Sequence, residues 1–282
     1  MIRRRHAIRA LLVLALIAAP AAAVIPQSAK IADAIAAAND ASGRAVPLWF
    51  EVTLSVGDEG PVATGVLASH PTGLARLELY RLPEKAPLPR ATETGSNGMD
   101  DLIESRISRP TERSTRGSVE RHLLQGNTYR ASSDGRILSR PNPYLPPLFL
   151  LQASSGAALQ AALSSFGVSS DEAELALLED RECYVLGGRL AKSEEDAGAR
   201  RRPSMWVDHR SFEVRRIDGG GVSVTLGPMS MFDGVTAPSW ITIEVPDRPV
   251  ARLDVNRVAP ANAPAAAFAV EWLTAPPSSP TR

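Results

Sequence analysis

Asp208-His209 is the pair of residues in this chain that most invites a catalytic reading, because a carboxylate beside a histidine can belong to a nucleophilic relay. Neighbours on a strand point to opposite faces, however, and this pair falls where a hairpin between Met205–Val207 and Phe212–Ile217 must turn. A solvated turn is the expected role. Glu51 and Glu78 could meet as paired acids across neighbouring strands, but a polar outer face explains them more simply. His70, His122 and His209 have no second His or Cys at metal-ligand spacing, so no metal site is expected. Cys183 is the single cysteine; it alternates with Val185, which reads as a buried, inert thiol, and no intrachain disulfide can form. The chain holds no G-x-S-x-G elbow, phosphate loop, H-E-x-x-H or C-x-x-C. Gly187-Gly188 and Gly219-Gly220-Gly221 stand at strand ends and open no helix, so they are turns and not phosphate cradles. Trp49, Trp206, Trp240 and Trp272 lie in or beside strands, as core packing or edge cover in the plain reading and as cavity lining in the sharper one. No catalytic residue and no cofactor is expected; the chain does not read as an enzyme.

The elements that carry these residues follow from periodicity. Ser28–Asn39 predicts a helix with Ser28 as its cap, Ile31 and Ile35 on one side, Ala34 and Ala38 flanking them, and Gly43 at its end. From Val46 to Val56, Val46, Leu48, Phe50, Val52, Leu54 and Val56 alternate with Pro47, Trp49, Glu51, Thr53 and Ser55, the pattern of a half-buried antiparallel strand. Turns at residues 57–60 and 71–73 extend it to a three-stranded meander through Leu77 and Leu79. Residues 83–122 break the rhythm and read as a long, polar, flexible insertion. A hairpin is expected around Asp134-Gly135. The prolines of 141–147 then crowd against Leu145 and Leu148–Leu151, a cluster too apolar to be left in water. Ser155–Phe166 predicts a second helix with Leu159, Leu163 and Phe166 on one side. Further strands are expected at Cys183–Gly187, 205–207, 212–217, 222–226, Trp240–Val245 and Val250–Val258, and a disordered tail at 275–282. Strands in runs with few helices set apart make an α+β class with one large, curved antiparallel β-sheet.

The N-terminus has the layout of a secretory signal over residues 1–23. Arg3, Arg4, Arg5 and Arg9 precede the apolar run Ala10–Ala19, Pro20 breaks it, and Ala21-Ala22-Ala23 supplies a small-residue cleavage site. The apolar run is too short to span a bilayer, which takes about 20 residues. No cysteine near the cleavage site allows lipid attachment. Removing four arginines from a chain with 31 basic and 31 acidic residues leaves a net charge of about −4. That argues against nucleic-acid binding, which needs a concentrated basic face. The expected product is a monomer, soluble in the periplasm, with one domain over residues 24–274.

The order of features resembles the LolA/LolB superfamily of periplasmic lipoprotein carriers. The resemblance is carried by the first helix and by Gly65-Val66-Leu67 and Leu74-Ala75-Arg76-Leu77-Glu78. It continues through Trp206-Val207-Asp208 with the following Phe212–Ile217, Phe232-Asp233-Gly234, Ala237-Pro238-Ser239-Trp240-Ile241 and Ala267-Phe268. It spans roughly Ser28 to Leu273, and departs from the carriers at His70-Pro71, where they have an arginine before the proline.

The resemblance implies an unclosed β-barrel with an apolar cavity between sheet and helices, a lipid or lipidated protein as partner, and other envelope proteins as further partners. The physical logic needs no catalytic group. Each buried methylene is worth about 0.8 kcal/mol, so an acyl chain represents on the order of 10 kcal/mol of exposure to water. The expected cavity residues are Leu48, Phe50, Val52, Leu54, Leu77 and Leu79, with Leu159, Leu163 and Phe166 on the covering helix. The second helix and the 145–151 cluster are candidate lids. Three functions fit: a lipid or lipoprotein carrier first, an envelope interaction or stress-sensing module second, and a hydrolase with scattered catalytic residues third.

Overall fold

The computed structural model describes residues 25–58, 60–83, 118–169, 171, 173–187, 203–219 and 221–276. The expected signal peptide of residues 1–23 and nearly all of the expected insertion, 84–117, lie outside the described residues, as do 277–282.

Thirteen strands form one antiparallel sheet. Its centre is β1 (Leu48–Val56) paired with β15 (Ala251–Pro260). On one side of β1 follow β2 (Pro61–His70), β3 (Leu74–Arg81), β4 (Val119–Gln125), β5 (Thr128–Ser133) and β6 (Arg136–Ile137). Beyond β15 follow β14 (Trp240–Glu244), β11 (Val222–Leu226), β10 (Val214–Gly219), β9 (Ser204–Asp208), β8 (Arg181–Gly187) and β7 (Ala173–Leu178). The remaining strands, β12 (Met229–Phe232) and β13 (Val235–Pro238), make a separate hairpin. Among the described residues β6 and β7 end the row of strands, and the sheet is unclosed. The α+β class and the open antiparallel sheet are as the sequence predicts.

The sheet has one mainly apolar face. Register pairs Leu48, Phe50, Val52 and Leu54 with Ser69, Leu67, Gly65 and Ala63 on β2 and with Pro260, Val258, Val255 and Leu253 on β15. That set turns inward and is buried, while Trp49, Glu51, Thr53 and Ser55 turn out. The same face continues through Leu77, Ile243, Val224, Ile217 and Met205, and all of these residues join one core.

Two helices lie on this inner face: α1 (Ser28–Ala41) and α2 (Gly156–Ser165). Ile31 and Ile35 of α1 are fully buried, with Ala32 and Ala36 beside them in place of Ala34 and Ala38. Ser28 is the first helical residue and does not cap the helix. Gly43 ends it, at a φ of +69° that favours glycine. The bonds from Arg44 N to Asn39 O and from Gly43 N to Asp40 O complete a Schellman closure. Ser155 caps α2 by accepting from the Ala158 amide at 3.2 Å.

Residues 145–152 fill the space next to α2. Leu148–Leu151 form a single 3₁₀ turn whose four side chains are all buried. Gln152 locks the turn: it accepts from the Ser69 hydroxyl at 2.6 Å and donates to the Val46 carbonyl at 2.8 Å. The cluster is therefore core, not a lid. Prolines 146 and 147 deny it strand bonding, and burial of four large side chains holds it.

The outer face of β2–β4 has its own cover, two 3₁₀ turns at Ala265–Phe268 and Val270–Leu273 packed on Ala68 and Leu123. Two sequence boundaries change here. Val119–Gln125 is a strand, although residues up to 122 read as insertion; its inward residues Glu120 and His122 are polar and hide the alternation. Ala275 and Pro276, read as tail, are gripped through their carbonyls by Arg121.

Candidate ligand-binding groove

The inner face is not filled everywhere. A groove of about 410 Å³ is bounded by Leu124 and Tyr129 on one wall and by Ile217, Val222 and Val224 on the other. These walls belong to β4–β5 and to β10–β11, and in a flat sheet the six strand spacings from β4 to β11 would put them about 29 Å apart. The sheet must therefore curl to bring them to one groove. Phe166 forms part of the floor, held edge-to-face on buried Phe149 with ring centres 6.4 Å apart. It lies against Gly219, where a side chain would collide with its ring.

Pro141, Pro143, Leu145 and Pro147 form a further part of the boundary, with Asn127, Gly221, Val245 and Arg248. Two further spaces border this proline strap. One of about 220 Å³ shares Pro143, Val245 and Arg248 with the first groove, and shares Tyr144 and Val56 with a third, of about 590 Å³, that reaches Leu54 and Leu79. The three form a chain of openings along the strap.

The strap is tied at Asn142. Its side-chain oxygen accepts from Arg248 at 2.6 Å, and its carbonyl accepts from the Tyr129 hydroxyl at 2.9 Å. Tyr129 also meets His122 Nδ1 at 2.8 Å and receives a bond from the Leu145 amide at 3.4 Å. Since its one proton goes to Asn142, the imidazole Nδ1 must be the donor to the phenol oxygen. Burial pushes the Tyr129 phenol well above its ordinary pKa, so it stays neutral. His122 is fully buried, with Nε2 3.2 Å from a Glu120 oxygen yet outside hydrogen-bond geometry.

All nine residues expected to line a cavity are on the inner side, but they divide by depth. Leu48, Phe50, Val52, Leu77, Leu159 and Leu163 are buried in the core and border none of the described openings. Leu54 and Leu79 border the 590 Å³ space, and Phe166 borders the 410 Å³ groove. Missed in the sequence were the strap prolines, Tyr129 and Arg248. The only signal for them was the density of proline beside leucine at 141–151, which marks irregular chain without saying where it packs.

The other candidates resolve as structure. Asp208 caps its own turn, accepting from the Arg210 and Ser211 amides at 3.0 and 2.9 Å. Partial burial pushes its carboxyl up, but hydrogen bonds from the Ser211 and Arg210 amides and from the Ser211 hydroxyl, with Arg215 nearby, outweigh this and hold it below the usual range. His209 contacts Glu182 instead. Glu51 and Glu78 are not neighbours, since Val66 of β2 lies opposite both. Glu78 pairs with Arg121 at 2.8 Å. Cys183 is buried and burial raises its thiol pKa. The tryptophans stand on the outer side: Trp49 under Arg257, Trp240 under Arg252, Trp272 between Arg76 and Arg121, and Trp206 bonded to Ser204. None borders the strap. Among the described residues no three His, Cys, Asp or Glu are grouped to hold a metal ion, and no helix is long and apolar enough to cross a membrane.

The chain is similar in structure to a LolA superfamily protein. That protein, from Nitrosomonas europaea, aligns over 88% of this chain and 100% of its own, with a TM-score of 0.44 and 11% identity. A putative outer membrane lipoprotein-sorting protein domain from Vibrio parahaemolyticus aligns over 88% and 98%, at a TM-score of 0.45 and 8% identity. A DUF1329 family protein from Desulfovibrio piger aligns over 88% and 100%, at 0.37 and 12%. No protein-family model matches the chain, and no curated protein matches it in sequence.

Proposed function

We propose that the exported, mature chain is a non-catalytic periplasmic carrier that holds the acyl part of a lipid or lipidated protein on the inner side of its curled sheet. The observation that carries this reading is the chain of openings along the proline strap, with an apolar groove walled by Leu124, Phe166, Ile217, Val222, Val224 and Val245 at one end and a more polar space, with Arg81 and Glu120 beside Leu54 and Leu79, at the other. An acyl chain laid there loses contact with water along its length, at about 0.8 kcal/mol per methylene, and no chemical step is required. The deeper residues of the expected set, Leu48, Phe50, Val52, Leu77, Leu159 and Leu163, support the walls and do not touch cargo.

Mass spectrometry of organic extracts of the purified protein tests the reading, together with titration by a fluorescent fatty acid. A stoichiometric lipid, or saturable uptake that Phe166→Asp abolishes, is the expected result. An empty extract with no saturable uptake overturns it.

A second reading, an envelope interaction or sensing module, is favoured by one observation. Among the described residues the strand Ala173–Leu178 ends the row of the sheet, and its Leu177 is 66% exposed. Strands so placed accept a strand from another chain. Capture of an envelope protein that Leu177→Lys prevents, from protein that binds no lipid, is the outcome this reading expects.

A further inference from the structure

Among the described residues, Arg248 is the sole charged one on the boundary of the 410 Å³ groove and on that of the adjoining 220 Å³ space. It stands in the exposed turn between β14 and β15, after Pro246-Asp247 and before Pro249. Its guanidinium donates to a neutral acceptor, the Asn142 carboxamide oxygen at 2.6 Å. Among the described residues no carboxylate pairs with it, its neighbour Asp247 included. A cation placed between two apolar openings, and without a carboxylate partner among the described residues, matches a ligand with a greasy body and one negative charge.

We infer that the cargo is a single-chain amphiphile of the fatty-acid class, and that its carboxylate binds Arg248 in exchange for the Asn142 side chain. This rests on the carrier reading and names the head of the ligand that reading leaves open. A guanidinium presents two parallel N–H donors to a carboxylate, where the Asn142 oxygen takes one, so the charged ligand displaces the carboxamide. The exchange does not free the strap, because the Asn142 carbonyl stays bonded to the Tyr129 hydroxyl. One chain is indicated over two. Pro143 borders both openings, so a two-chain lipid would have to straddle the strap, whereas a single chain follows one groove away from Arg248.

The full mature chain is titrated with cis-parinaric acid and with the corresponding polyene alcohol, as wild type, Arg248→Gln and Asn142→Ala. Arg248→Gln is expected to weaken the acid about tenfold, the scale of one lost charge-assisted contact, and to change the alcohol by less than about twofold. Asn142→Ala removes the competing acceptor and is expected to tighten the acid. Equal losses for acid and alcohol in Arg248→Gln, or no loss for either, overturn the inference while leaving a carrier standing. Phosphatidylglycerol or its lyso form displacing the probe better than oleate does overturns the assignment of a carboxylate head. If the wild type binds neither probe, the carrier reading falls and takes this inference with it.

Discussion

Strands β2, β3 and β4 are covered on both sides by irregular chain, and the two covers are held differently. Inside, Leu148–Leu151 presents four buried side chains to the core, with Gln152 as its main polar tie. Outside, the segment 263–276 buries little more than Phe268 and Leu273 and is gripped by its carbonyls. Arg76 donates to Ala267 O, Gln125 to Phe268 O, Ser132 to Leu273 O, and Arg121 to Trp272 O and onward to Ala275 and Pro276. The inner cover stays because water is excluded from it. The outer cover stays because cations and hydroxyls on the strands hold its backbone, and Trp272 lies between two of those cations. The lesson is that an irregular segment needs either apolar bulk or backbone partners, and each choice predicts its own mode of failure.

The largest expected effect is on the inner side. Phe149→Ala empties a fully buried site and removes the ring that supports Phe166, at an expected cost of about 3–5 kcal/mol in urea unfolding. A loss under about 1 kcal/mol would break the comparison, by showing that the inner cover is not core. Arg121→Ala is next, at about 2–3 kcal/mol, since it leaves Glu78 without its partner and releases the outer segment. Hydrogen exchange sharpens this one: amides of 263–276 should exchange faster while those of 148–152 do not change. Gln152→Ala is expected to cost about 1–2 kcal/mol by orphaning the Ser69 hydroxyl and the Val46 carbonyl, a polar contribution to a mainly apolar cover.

The smallest effect is expected where neither cover reaches. The Asp208 carboxyl has its folded pKa below its unfolded one, so its contribution is full above the unfolded value and is lost as pH falls toward the folded one. Asp208→Asn should lower neutral-pH stability slightly, bring it level with wild type in acid, and so flatten the acid limb of stability against pH. An unchanged acid limb would remove the turn from the account.

How much was legible follows from the same contrast. Period-two alternation exposed the inward set from Leu48 to Leu54, and Asp134-Gly135 announced its hairpin, because aspartate and glycine accept the positive φ of 49° and 78° found there. The hairpin between β7 and β8 was silent: Glu179 and Asp180 take φ of 48° and 64°, and a Glu-Asp pair is not a sequence signal for that turn. Strand β4 was hidden by polar inward residues, and Phe212 sits at a φ of 55° in the turn that delays β10 to Val214. The groove was the least legible part. Its walls come from strands that only curvature unites, and its boundary comes from a strap whose prolines state what the chain does not do.

The pairing at the sheet's centre has a consequence in time. Leu48 lies opposite Pro260 and Val56 opposite Ala251, so the earliest strand of the chain shares its long ladder with the latest. Contacts this distant along the chain must wait for loop closure before they stabilise anything, which makes folding slow. A ribosome or an export channel delivers β1 first and β15 last. Until that final strand emerges, Leu48, Phe50, Val52 and Leu54 have only half their neighbours, and the newborn chain needs an escort.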